Sequence, residues 1–320
     1  FISMTQSNLS HELKSPDESE KYNLPMNPDR TPTAVRSCVG TPDFFLQTAT
    51  CLRKKQTNRQ HVADLDCLKH FSEDQLINPE PKNNFILVFN KFNVVKRHYL
   101  LVAHQFQHQL EVLRINAFQE IVSFLCQYPT FTAVFNGGRK SGSSQPRQHI
   151  QLLQLPKETP LDKLVLRTHK SENFFQLPPF LHKKHQVAKF KDDYSEGVEF
   201  TAQNLYDIYI ASLQKLKIRV STQIKRSQIP ATYPEELEFD VSTEELSKSE
   251  SIFDEETQIV LDGYSLFITR DYLLIAKRSK ESYFNSISFS GWAFAKDDQV
   301  SETIEKNGLF NMLADCIEDE

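Results

Sequence analysis

The residues best suited to chemistry gather between positions 137 and 156, in GGRKSGSSQPRQHIQLLQLP, a stretch holding Gly137, Gly138 and Gly142 in a chain with only 8 glycines. Arg147, His149 and Gln151 stand two apart, so a strand turns all three to one face and Ile150 and Leu152 to the other. The loop ahead of that strand offers small residues, hydroxyls and backbone N–H groups, the ingredients of a cradle for phosphate oxygens. Arg139, Lys140 and Arg147 add positive charge there. An imidazole fixed beside such a cradle is placed to attack phosphorus, and a covalent nucleotidyl-imidazole divides one displacement into two easier steps. Gln151 is placed to hydrogen-bond a phosphate oxygen as charge develops. Spacing alone leaves a plainer account open: a Gly/Ser stretch before a strand also makes an ordinary turn, and a histidine on a polar face is also a solvated one.

Such a strand needs a sheet behind it. FILVF, HYLLVA and FTAVF, all between positions 85 and 135, are short apolar runs bounded by polar residues and read as core strands. Between the second and third, Leu110, Leu113, Ala117, Ile121 and Leu125 recur at three- and four-residue steps and predict one helix packed on the sheet. Leu205, Ile208, Tyr209, Ser212, Leu213 and Leu216 predict a second. GYSLFIT, DYLLIAK and SYFNSISFSGWAF return to strands near the C-terminal end. Strands and long helices without regular βαβ alternation favour an α+β class over a doubly wound fold, and no internal repeat is evident. The expected organisation is a flexible polar arm at 1–43, a core at 44–232, an acidic loop or linker at 233–258 and a strand-rich region at 259–320 that completes the sheet.

Composition narrows the partners. The formal net charge is -5 and the basic residues are scattered, which argues against nucleic acid. The 5 cysteines are far apart with no CxxC pair, which points to reduced thiols and a cytoplasmic setting rather than a disulfide framework or zinc ribbon. No apolar run reaches the roughly 20 residues that span a bilayer, so no membrane partner is expected.

The stretch from Asn136 to Pro156 resembles the core of the diadenosine tetraphosphate phosphorylases, or ATP adenylyltransferases, of the histidine-triad superfamily, where a Gly/Ser-Gln loop leads into a His-x-His-x-Gln strand. LVFNKFNVVKRHYLLVAHQF (88–106) is similar to that family's Asn-Lys-Phe strand-turn-strand, LPPFLH (177–182) loosely to its Pro-Phe-x-His segment, and the blocks around 264–297 to its C-terminal domain. The resemblance implies a histidine-triad-like, largely antiparallel mixed sheet flanked by helices. It also implies phosphorolysis: diadenosine tetraphosphate and inorganic phosphate give ATP and ADP through a covalent AMP-histidine. His149 then matches the nucleophile and Gln151 the motif Gln. Ser143, Ser144 and Gln145, with Gly142, match the phosphate loop, and Asn90, Lys91 and Asn136 fall on positions near the nucleotide. His182 falls on an outer position of the site. The family's first His falls on Arg147, with Gln148 after it. An arginine stays protonated and cannot relay a proton, yet it can fork onto phosphate, so nucleotide binding tolerates the change better than turnover does. No covalent cofactor and no protein-held metal are expected, only Mg²⁺ arriving with the substrate phosphates. The alternatives are a catalytically impaired adenine-nucleotide binder and a phosphorylase of a nucleoside diphosphate hexose.

Other candidates carry weaker signals. His104 and His108 have the spacing of helical metal ligands, but the reading preferred is a solvated helix start. His182 and His185 are equally thin as a metal pair. Trp292 has the chemistry to stack on a base, although between phenylalanines it reads as core. Lys277 and Arg278 read as a solvated basic strand end.

Overall fold

The computed structural model describes residues 33–36, 42–48, 66–73, 75–91, 93–95, 97–155, 158–168, 174–190, 197–222, 244–245 and 258–320. The polar arm and the acidic segment lie almost wholly outside them. In chain order the strands are β1 (Thr33–Arg36), β2 (Phe44–Thr48), β3 (Leu76–Lys82), β4 (Phe85–Phe89), β5 (His98–Ala103), β6 (Phe131–Gly137), β7 (His149–Gln154), β8 (Phe174–Phe175), β9 (His185–Lys189), β10 (Arg219–Ser221), β11 (Glu244–Glu245), β12 (Ile259–Val260), β13 (Gly263–Ile268), β14 (Tyr272–Arg278) and β15 (Trp292–Ala295). The helices are α1 (Ile115–Gln127), α2 (Pro160–Arg167), α3 (Val198–Lys215), α4 (Asp298–Asn307) and α5 (Leu309–Ala314).

Nine strands form the main sheet in the order β3-β4-β5-β7-β6-β13-β14-β9-β8, and each neighbouring pair is antiparallel. The apolar runs are continuous rather than alternating because both faces of the sheet are covered. On one face Leu101, Phe135, Ile150, Leu152, Leu266 and Ile275 pack against α1 and α3. On the other, Val134, Leu153, Phe267 and Leu274 pack under α2, α4, α5, β15 and the turn Ser286–Ser290. β15 pairs parallel with β2, which makes the whole an α+β chain with a mixed, largely antiparallel architecture.

The topology contains a repeat that the residues do not announce. β4-β5-α1-β6-β7 and β8-β9-α3-β13-β14 follow the same element order, the second with β10, β11 and β12 inserted after its helix, and their strands are laid out in opposite sense about the β6–β13 junction. An approximate two-fold axis therefore runs between β6 and β13, and α1 meets α3 beside it through Phe118, whose ring lies 5.6 Å from Tyr206 and 5.2 Å from Tyr209. In the first half residues 138–148 link the two central strands; in the second, 269–271 suffice. Only the first half places a long loop between its central strands.

Several elements differ from expectation. The stripe from Leu110 to Leu125 is buried throughout, but the helix begins only at Ile115. Leu110 lies in the turn His108–Glu111, its carbonyl accepting from the Val260 N–H at 2.7 Å while Glu111 bridges to Ile259. In the second stripe Leu205, Tyr209, Ser212 and Leu213 are buried within α3, whereas Ile208 is only partly covered. SYFNSISFSGWAF is not one strand: Ser286–Ser290 is a 3-10 turn and only Trp292–Ala295 is extended. The region after 259 also ends in α4 and α5, the first started by Asp297, which accepts from the Val300 N–H at 2.9 Å. α2 is set by Thr159 and Asp162, whose side chains cap each other's N–H groups ahead of Pro160. Trp292 is core, stacked on Phe294 at 5.9 Å. No helix among the described residues is long and apolar enough to cross a membrane.

Candidate functional site

His149 opens β7 on the face turned away from α1 and α3, and its side chain is nearly buried. Its backbone N–H donates to Gln109 Oε1 at 2.8 Å, and Gln109 Nε2 donates onward to the Asn136 carbonyl at 2.9 Å. One amide thus stitches β7 to β6 at the point where the two strands diverge into the loop. The ring's Nδ1 lies 2.9 Å from the Arg147 carbonyl. A carbonyl only accepts, so Nδ1 carries the proton and the lone pair of the neutral imidazole resides on Nε2. That is the tautomer a nucleophile through Nε2 requires.

Gln151, two residues on, lies on the same face. Its Oε1 is 3.1 Å from His98 Nε2, and the Asn90 Nδ2 is 3.3 Å from His98 Nδ1. The Val94 N–H points at His98 Nδ1, 3.4 Å away, which leaves the proton on Nε2 to donate to Gln151. With its oxygen held by His98, Gln151 presents its NH2 end as a donor. β5 contributes His98, the turn before it Asn90, and β7 Gln151, so the polar row crosses two adjacent strands.

The loop between β6 and β7 makes one 3-10 turn, Arg139–Ser141, in which Ser141 Oγ donates to the Gly138 carbonyl at 2.6 Å. Gly142 follows at φ 91, a left-handed conformation, and a Cβ there would lie 3.0 Å from Asn285 Cβ. Glycine is required on both counts. Ser143 is buried, Ser144 and Gln145 half-buried, and Gln145 Oε1 is enclosed with no hydrogen-bond partner among the described residues. Lys140 and Lys91 are exposed, while Arg139 pairs with Glu281 at 3.2 Å. Asn136 faces the loop from β6, its Oδ1 accepting from the Ser286 N–H at 2.9 Å.

Arg147 is not disposed as the spacing suggested. Its guanidinium forks onto Asp66, with Nη2 at 2.6 Å and Nε at 2.9 Å from Oδ2, while Nη1 donates to the carbonyls of Ala103 at 2.8 Å and His104 at 3.0 Å. Phe106 lies against it, 5.2 Å from ring centroid to guanidinium carbon. The residue is 5% exposed, and its charge is spent on holding the chain together.

The structure therefore brings together His149, Gln151, Asn90, Asn136 and the loop Gly142–Gln145. His182 is elsewhere: it precedes β9, which three strands separate from β7, and its carbonyl accepts from the Glu320 N–H. His104 and His108 share no helix. His108 is fully buried, its backbone bridges to Arg147, and its Nδ1 accepts from the Leu110 N–H at 3.1 Å. His185 is a core residue: burial holds its pKa down to about 4, its Nδ1 donates to the Lys183 carbonyl at 3.0 Å and its Nε2 accepts from the Leu177 N–H at 2.7 Å. Lys277 and Arg278 are buried rather than solvated, Lys277 lying 3.1 Å from Asp262 and 3.3 Å from Glu318. His98, Gln109 and Asp66 were missed. His98 alone had a signal, a polar residue opening an otherwise apolar strand.

The site is thus a nearly buried imidazole of defined tautomer beside a Gly/Ser loop, on a duplicated antiparallel sheet. Residues 37–168 match the Ap4A phosphorylase N-terminal domain and residues 178–317 the ATP adenylyltransferase C-terminal domain, so the chain belongs to the Ap4A phosphorylase family of ATP adenylyltransferases. It is similar to Protein APA1 of Saccharomyces cerevisiae, 26% identical over 247 residues that span 72% of this chain and 68% of that one. Its fold resembles crystal structures of yeast Ap4A phosphorylase Apa2 at 17% identity: the complex with AMP (TM-score 0.62; 89% of this chain, 87% of that one) and the complex with Ap4A (TM-score 0.62; 90% of each).

Proposed function

We propose that the chain cleaves diadenosine tetraphosphate by phosphorolysis, with His149 as nucleophile. The observation that carries this is the Nδ1–Arg147 carbonyl hydrogen bond, which puts the imidazole lone pair on Nε2 beside the Gly/Ser loop. The family and the binding of Ap4A by the related Apa2 support the substrate. Nε2 attacks the phosphorus that bears one adenosine; the bond from that phosphorus to its bridging oxygen breaks, and ATP leaves. Inorganic phosphate then attacks the same phosphorus, the Nε2–P bond breaks, and ADP is released. Gln151, oriented through its oxygen by His98, donates its NH2 to a non-bridging oxygen of that phosphorus, and the Asn90 amide donating to His98 Nδ1 steadies the ring. Ser143, Ser144 and Gln145 receive the remaining phosphates with Lys91 and Lys140.

Arg147 fits this scheme as a clamp. By tying itself to Asp66 it holds in place the carbonyl that orients His149, so the replacement of the family's first His leaves the nucleophile intact. Mg²⁺ enters this scheme with the substrate phosphates, whose charge it balances. The test is incubation with diadenosine tetraphosphate, with and without inorganic phosphate, followed by product analysis and intact mass. Phosphate-dependent ATP and ADP, and a protein-AMP adduct lost in His149→Ala, are expected. Nucleotide binding without products or adduct would overturn the scheme in favour of an impaired binder.

A further inference from the structure

Resting on that scheme, we propose that Tyr283 is the stacking platform for the second nucleoside of the substrate, the one that departs with the leaving triphosphate. Tyr283 is 67% exposed, an unusual setting for a large aromatic ring, yet the chain on both sides of it is bolted down. Arg278 Nη2 donates to Ser282 Oγ at 2.7 Å and to the Phe284 carbonyl at 3.2 Å, and Ser282 Oγ accepts from the Phe284 N–H at 3.1 Å. Phe284 itself is buried. Arg278 is 1% exposed, has no carboxylate within ion-pair distance among the described residues, and leaves its Nε enclosed without a hydrogen-bond partner. Burying a guanidinium in this way is costly. What it secures is the main chain flanking one outward-facing aromatic ring.

The segment carrying that ring lies against the loop Arg139–Gln145. Asn285, two residues on, packs against Gly142, and Ser286 donates from its N–H to Asn136 Oδ1 and from its Oγ to the Phe135 carbonyl at 2.9 Å. Glu281, two residues before, pairs with Arg139 of the loop. Asn136 is thus shared: one side adjoins His149 through Gln109, and the other adjoins the segment carrying Tyr283. From β7 across β6 and β13 to β14, whose last residue is Arg278, is three interstrand spacings, roughly 14 Å. A nucleoside at the far end of a tetraphosphate lies that far from the phosphorus attacked at its near end. Two cations belong to this region: Lys140 on the loop, and Lys296, whose Nζ sits over the Tyr283 ring 5.4 Å from its centroid. An aromatic face with a cation alongside suits a purine followed by phosphates.

The experiment compares kcat/KM for diadenosine tetraphosphate and for adenosine 5′-tetraphosphate, which has the same phosphate chain without the second nucleoside, in the wild type, Tyr283→Ala and Tyr283→Phe. Expected is a loss of about tenfold for the dinucleotide in Tyr283→Ala, from the stacking of one base, with adenosine 5′-tetraphosphate unchanged and Tyr283→Phe close to wild type. Equal losses for both substrates, or none for either, would overturn the platform. If the wild type transfers nucleotide from neither compound, it is the phosphorolysis scheme that falls. Calorimetric titration of diadenosine tetraphosphate into wild type and Tyr283→Ala then decides the platform separately: affinity about tenfold weaker in the variant upholds it, and equal affinity overturns it.

Discussion

Substituting Arg147→His would restore the family's motif, and the structure predicts that the protein would be worse for it. The guanidinium makes a forked contact with Asp66 and donates to two backbone carbonyls, and the side chains of the pair are 6% and 14% exposed. An imidazole cannot span those partners, so the Asp66 carboxylate is left largely buried without its counter-charge. Removing one member of a buried pair costs roughly 3–5 kcal/mol, and the residual exposure of Asp66 places this site at the lower end, about 3 kcal/mol. That is a large part of the ~5–15 kcal/mol that stabilises most domains. Urea unfolding of Arg147→His, Asp66→Asn and the double variant is the assay. Each single change should lower stability by about 3 kcal/mol, with the double little worse than either, a coupling of about 2 kcal/mol or more. Phosphorolysis by Arg147→His should show a lower kcat with little change in KM, since the carbonyl that orients His149 loosens. Additive losses, or a variant as stable as wild type and faster, would refute the clamp.

Three further outcomes are expected. His185 is neutral in the fold down to about pH 4 but titrates near pH 6.5 when unfolded. Below pH 6.5 the unfolded chain takes up a proton that the fold refuses, so its contribution is complete above pH 6.5 and falls by roughly 3 kcal/mol as pH drops to 4. Urea midpoints at pH 7 and pH 4.5 should therefore differ less in His185→Gln than in wild type. Gly142→Ala puts a side chain into a left-handed backbone and against Asn285; a loss of about 1–2 kcal/mol, seen in thermal unfolding, should come with a raised KM for the dinucleotide. Phe118→Ala, at the contact of α1 with α3, should cost about 3–5 kcal/mol of stability and leave the KM of the folded enzyme unchanged.

The strands and the Gly/Ser loop were legible because their signals are local. FILVF, HYLLVA and FTAVF are apolar throughout as a doubly covered sheet demands, and His149 with its Gly/Ser loop lies within one short stretch. What escaped depends on distant partners. Gln151 meets a histidine 53 residues away, His149 an amide 40 away, and Arg147 a carboxylate 81 away. Leu110 continued the apolar stripe of α1, but it lies in a turn, with its carbonyl taken by the Val260 N–H. Arg278 looked like a solvated strand end because nothing nearby reveals that Phe289 and the segment after Ser282 close over it. The capping signals of α2 and α4, Thr159 with Asp162 and Asp297 before its helix, were present and went unread.

The seam between β6 and β13 imposes an order on synthesis. β6 ends at Gly137 and its partner begins at Gly263, so a chain emerging from the ribosome must carry an apolar, unpaired edge strand while more than a third of its length is still being made. Such an edge invites pairing with the wrong neighbour. The phosphate loop waits longer still, since Asn285 and Ser286, which brace Gly142 and Asn136, arrive after β13 and β14. His149 is therefore placed early and the bracing of its neighbouring loop late, and a chain truncated between them would hold His149 without Asn285 and Ser286 behind the loop.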